Sequence, residues 1–121
     1  DGHKVRSGKM AAQLAHASMK AILDVGSIIQ NDGGKNVYTI PLSFEMNAWL
    51  AGMFTKICVS VDSEDELIGL YENAKDAGLH CSLIQDQGLT EFDGVPTYTA
   101  VAIGPGKSED IDKLTGNLKL L

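Results

Sequence analysis

The sequence has few of the groups that usually announce a function. It holds only two cysteines, Cys58 and Cys81, and no CxxC, HExxH or Cys/His cluster. A structural zinc site is therefore not expected, and no metal is assigned. Both cysteines lie in apolar runs, 57–61 and 81–84, and read as buried thiols on strands. Aromatic residues make up 6% of the chain, so the core should be aliphatic. No apolar run approaches the roughly 20 residues of a membrane-spanning helix, and no charged-then-apolar signal segment opens the chain. These absences point to a soluble, cytoplasmic protein, provided no leader has been removed. Basic character is missing too. The net charge of −6 counts against general nucleic-acid binding, which relies on Lys and Arg to neutralise phosphates.

The 121 residues, 44% hydrophobic and 21% charged, suit one globular domain over 1–121 with a real core. The charge is uneven. Lys4, Arg6, Lys9 and Lys20 face Asp1 alone within residues 1–22, and the rest of the chain is strongly acidic. A local basic patch on an acidic body fits one phosphate-rich end better than a long duplex.

The stretch from Ser7 to His16 opens a helix over about 7–24, rich in Ala, Met and Leu. Lys9, Gln13, His16 and Lys20 share one face of it, and Met10, Leu14, Ala17 and Ala21 form an apolar stripe expected to oppose them. A cation, an amide and an imidazole in a row can bind an anion or polarise a carbonyl. On spacing alone, a solvated polar face is the commoner meaning.

Further along, residues 31–36 are a turn cluster and 37–40 a short strand. Ser43 caps a helix over 44–53. Residues 56–61 read as a buried strand. Ser63 and Glu66 form a capping box for a helix ending at Gly78, and the next strand covers 80–84. Strand, helix and strand make a right-handed βαβ unit with parallel strands. The polar loop 85–96 leads to a strand over 97–103, a helix capped by Ser108, and an apolar tail, 118–121, expected to be a buried edge strand. The fold class is thus α/β, a small mixed β-sheet flanked by helices. In such sheets ligands sit beyond the carboxyl ends of strands. Asp86 lies there, a position suited to an acid, a base or a cation's partner; a turn residue before Gly88 is the plainer meaning. Thr90 and Thr97 are, by default, a loop hydroxyl and a strand former.

Four stretches, in order, resemble the type 2 peptidyl-tRNA hydrolase family. They are Gly8-Lys9-Met10-Ala11-Ala12-Gln13 with His16; Val61-Asp62-Ser63-Glu64 leading to Leu67; Ser82-Leu83-Ile84-Gln85-Asp86-Gln87-Gly88 with Thr90; and Ala102-Ile103-Gly104-Pro105 followed by Thr115 to Leu121. The resemblance implies cofactor-free hydrolysis of the ester between a peptide and the 3′ ribose of tRNA. By matching position it implies a catalytic set of Lys9, Gln13, Asp86, Thr90 and Thr97. The Thr97 match is the loosest, because the preceding loop is about one residue longer than the family's. Asp86 would position or deprotonate water, Lys9 would stabilise developing negative charge, and the others would orient substrate. His16, Lys20, Arg6 and Lys4 would contact the acceptor end of the tRNA. No membrane partner is implied, and a homodimer is compatible with the resemblance. Two departures stand out: the family's opening strand has no counterpart ahead of Gly8-Lys9, and residues at about 24–53 form an insertion. The alternatives are a non-catalytic RNA- or protein-binding adaptor on the same fold and an esterase for small N-acyl amino-acid esters.

Overall fold

The computed structural model describes residues 7–86 and 95–121. Their order is α1 (Ser7–Leu23), β1 (Ser27–Gln30), β2 (Asn36–Thr39), α2 (Phe44–Ala51), β3 (Val59–Ser60), α3 (Glu64–Asp76), β4 (Cys81–Asp86), β5 (Thr97–Ile103), α4 (Ser108–Thr115) and β6 (Lys119–Leu120).

The central unit is the β4–β5 ladder with a helix on each face. Side chains alternate along β4: Ser82, Ile84 and Asp86 are buried, while Cys81 and Leu83 point the other way and are half-buried. The first face receives α1, whose Ala17 packs with Ile84 and Ala100 in the tightest part of the core. Alanine at this contact lets the helix backbone approach the sheet. The opposite face receives α3, with Cys81 Sγ directed at the Tyr71 carbonyl. Burial raises the pKa of the Cys81 thiol, against a smaller lowering by Lys75. It is a packing group rather than a nucleophile.

Helix α1 runs antiparallel to β4, and both ends of the pair are tied. At the far end from Asp86, Ser82 Oγ donates to Asp24 Oδ2 at 2.9 Å, and the His80 ring meets the Ala21 carbonyl. Lys20 Nζ joins Asp24 Oδ1 at 3.0 Å. Desolvation pushes the Asp24 carboxyl up, but the hydrogen bonds from Lys20 and Ser82 and the charges of Lys20 and His80 outweigh it, so its pKa is lowered.

The capping chemistry of α3 is as expected. Ser63 Oγ accepts from the Glu66 amide at 3.1 Å, and Gly78 takes φ +76° beyond the helix, a conformation that costs glycine nothing. Helix α2 begins at Ser43, whose hydroxyl accepts from the Met46 amide.

Other expectations need correction. The strands flanking α3 do not form a parallel pair. β3 pairs antiparallel with β6, and β4 pairs antiparallel with β5. With β1–β2, the described residues hold three two-stranded antiparallel sheets and not one mixed sheet. β3 is only two residues long, too short to organise a crossover, and β4 takes as partner the strand that follows it in sequence, which closes the shorter loop. Cys58 and Ile57 are exposed, outside any strand. The tail is a strand but not a buried one, with Leu120 73% exposed. Ser108 does not cap α4; it is the first helical residue, and Lys107 occupies the cap position without a side-chain bond.

The segment at 24–53 contains a hairpin that sequence reading saw only in half. Ser27–Gln30 pairs with Asn36–Thr39 around a turn organised by Asn31, whose Oδ1 accepts from the Gly33 and Lys35 amides. Gly26 is required at its base, because a Cβ there would lie 2.6 Å from the Thr39 carbonyl oxygen.

Candidate active site

The antiparallel run of α1 along β4 brings the first turns of the helix to the carboxyl end of the strand. Lys9 Nζ lies 2.7 Å from Asp86 Oδ2, with 21% and 6% of the two side chains exposed. One helical turn on, Gln13 Nε2 donates to the same oxygen at 3.4 Å. Its other end, Oε1, accepts from Thr99 Oγ1 at 3.1 Å. The amide is thereby oriented from both sides: its donor faces the carboxylate and its acceptor the hydroxyl. Lys9, Met10, Gln13, Leu14, Asp86, Thr99 and Ala100 line a cleft of about 100 Å³. Most of its wall is apolar, and the polar groups converge on one carboxylate.

The polar row and the apolar stripe of α1 are neighbours rather than opposites. Successive residues are about 100° apart around a helix, so Lys9 and Gln13 flank the Met10–Leu14–Ala17 stripe and share its contact with β4. That is why a lysine and a glutamine are half-buried here. His16, on the outer edge of the same row, is exposed and joins nothing in the cleft. Lys20 is engaged with Asp24. Asp86 itself is a strand residue, the last of β4 and not the first of a loop.

Thr97 is paired directly across from Asp86 in the ladder, but its hydroxyl donates to the Val95 carbonyl at 3.0 Å. The hydroxyl that reaches the polar row belongs to Thr99, which sequence reasoning missed. The register shifts between Ile84 and Gln85, whose partners are Ala100 and Tyr98, so Thr99 is the extra residue of a β-bulge. The longer loop noted in the sequence is the one signal that could have moved the assignment along the strand. Thr90, Lys4 and Arg6 lie outside the described residues. Among the described residues no three His, Cys, Asp or Glu side chains gather as a metal site, and no helix is long and apolar enough to cross a membrane.

The model of the family described as peptidyl-tRNA hydrolase PTH2 matches residues 3–121. The chain belongs to that family. Archaeal relatives agree. The peptidyl-tRNA hydrolase of Methanocaldococcus jannaschii is 45% identical over 114 residues, covering 94% of this chain and 87% of the relative. That of Methanococcus maripaludis is 39% identical over 118 residues, covering 98% and 90%. That of Sulfurisphaera tokodaii is 39% identical over 114 residues, covering 94% and 86%. The family match runs through the helix and the strand that hold Lys9, Gln13 and Asp86, so the cleft lies in the matched part of the chain.

Proposed function

We propose that this chain hydrolyses peptidyl-tRNA, cleaving the ester between a peptide or N-blocked amino acid and the 3′ ribose, in the cytoplasm where translation supplies that substrate. The observation that carries the reading is the Lys9–Asp86 contact at 2.7 Å, set in a cleft on a chain of the PTH2 family.

Asp86 holds the attacking water by hydrogen bonding, oriented rather than strongly activated, because its Oδ2 is already occupied by Lys9 and Gln13. Water adds to the ester carbonyl carbon. Lys9 Nζ donates to the oxyanion that develops or to the departing 3′ oxygen. The carbon–oxygen bond to the ribose then breaks, and the proton lost by the water ends on that 3′ oxygen. Gln13 and Thr99 fix the substrate's polar atoms, with Thr90 and Thr97 as further hydroxyls. His16, Lys20, Lys4 and Arg6 contact acceptor-stem phosphates, which positions the tRNA without reading its sequence. A homodimer belongs to the same proposal. The apolar side chains exposed on β1, β2 and α2 support it, and light scattering tests it.

The deciding experiment is single-turnover release of an N-acetyl-aminoacyl group from tRNA. Asp86→Asn keeps the shape and removes the charge, so kcat falls by roughly two to four orders of magnitude, the range for losing a positioned acid or base. Near-wild-type rates in a folded Asp86→Asn protein would remove Asp86 from the mechanism, and no release by the unaltered protein would leave the adaptor reading in its place.

A further inference from the structure

The bulge in β5 needs a cause. Counting back from Ala100, which faces α1, regular alternation would send Thr99 to the α3 side and leave Gln13 without its hydroxyl partner. The extra residue places Thr99 and Ala100 on the same side. A bulge also interrupts the ladder locally, so something must hold the backbone beside it. The Tyr98 amide, next to the extra residue, donates to Glu64 Oε2 at 2.8 Å. Glu64 is the first residue of α3, half-buried, on the helix that covers the other face of the sheet.

We propose that Glu64 is a positioning residue for the active site: by binding the Tyr98 amide it holds the β5 bulge, and the bulge aims Thr99 at Gln13 and so orients Gln13 on Asp86. The links are Glu64 to the Tyr98 amide at 2.8 Å, Thr99 to Gln13 at 3.1 Å, and Gln13 to Asp86 at 3.4 Å. Glu64 touches none of the reacting atoms. Its influence crosses the sheet from the α3 face to the α1 face through the main chain of β5. The activity readout rests on the hydrolase reading above; the geometric readout does not.

Three variants separate positioning from helix stability. Glu64→Ala removes the acceptor. Glu64→Asp withdraws it by one methylene. Glu64→Gln keeps an oxygen of the same reach while losing the charge that favours a helix N-terminus. All three lower the melting temperature somewhat. Only Glu64→Ala and Glu64→Asp lower kcat on peptidyl-tRNA, by roughly three- to tenfold, the worth of the Thr99–Gln13 hydrogen bond they misdirect, with KM nearly unchanged. Glu64→Gln retains most of the activity. In the Glu64→Ala background a further Thr99→Val costs little, because Thr99 is already misdirected. Losses shared by Glu64→Gln, or multiplying fully with Thr99→Val, would overturn the proposal. NMR of the Gln13 side-chain amide supplies the second readout. Its resonances shift in Glu64→Ala and hold in Glu64→Gln even if peptidyl-tRNA turns out not to be the substrate. Unmoved resonances in Glu64→Ala would overturn the positioning role on their own.

Discussion

Lys9 and Asp86 form an ion pair in a place where neither is well solvated. Removing one takes an opposite charge away from the other in a poorly solvated place, which is the costly way to break such a pair. Lys9→Met should therefore lower thermal stability as well as rate. By analogy with loss of one oxyanion donor, its barrier penalty should be about 2.7–4 kcal/mol. In the proposed mechanism both residues act on one transition state, so the double variant with Asp86→Asn should lose less than the two separate penalties combined, read by single-turnover kinetics. The two threonines make a sharper comparison. Thr99 bonds Gln13 and Thr97 bonds a local carbonyl. Thr99→Val should slow turnover roughly three- to tenfold, the net worth of one neutral hydrogen bond, and Thr97→Val should cost less. Equal effects would mean that substrate redirects Thr97. This pair also marks where sequence reading stops. Residue types near a strand end identify a threonine, but the choice between Thr97 and Thr99 is a one-residue decision of cross-strand register. Register is set by packing on both faces of the sheet and not by the neighbours in sequence.

Helix α1 and strand β4 behave as two rods fastened at both ends, one a structural fastening at Asp24 and the other the proposed catalytic pair. The structural fastening contains the Asp24 carboxylate, whose pKa is lowered in the folded protein. A depressed folded value means that its contribution is present above the ordinary aspartate range, about pH 4. The contribution is lost as pH falls through the lower folded value. Asp24→Asn should thus be less stable than the wild type at neutral pH, and the gap should close as pH falls below the ordinary aspartate range, in denaturation measured across pH. Between the fastenings, Ala17 sits on Ile84 with 3% of its surface exposed. Ala17→Leu should cost about 1–3 kcal/mol by overpacking, measured by urea unfolding. At this scale local chemistry was legible: the caps at Ser43 and Ser63 and the glycine after α3 depend only on nearby atoms. What was not legible is partner choice. The β-branched run at 56–61 advertises a strand, yet among the described residues the ladder takes in just Val59 and Ser60 of it, because a strand's neighbour is settled by distant chain.

On the scale of the whole molecule, a chain of net charge −6 has to meet a polyanion. Association through a small basic region should weaken as salt rises, since each neutralised phosphate releases counterions. The expected outcome is a KM for peptidyl-tRNA that climbs with ionic strength while kcat does not. A KM indifferent to salt would remove the basic segment from substrate binding. The family itself was legible because its stretches are spread from α1 to the last residues; no single one of them would have sufficed.

The polar row joins Gln13 to Asp86 across 73 residues and to Thr99 across 86. During its own synthesis this protein is itself a peptide esterified to tRNA. A nascent chain that stalls before β5 carries the lysine and the glutamine but lacks the hydroxyl, and one that stalls before β4 lacks the carboxylate as well. The proposed reactive centre forms only after β5 has been made and has closed on α1. Under the proposed function, long-range assembly thus works as a timer: a copy cut short before β4 has no carboxylate with which to act on its own ester.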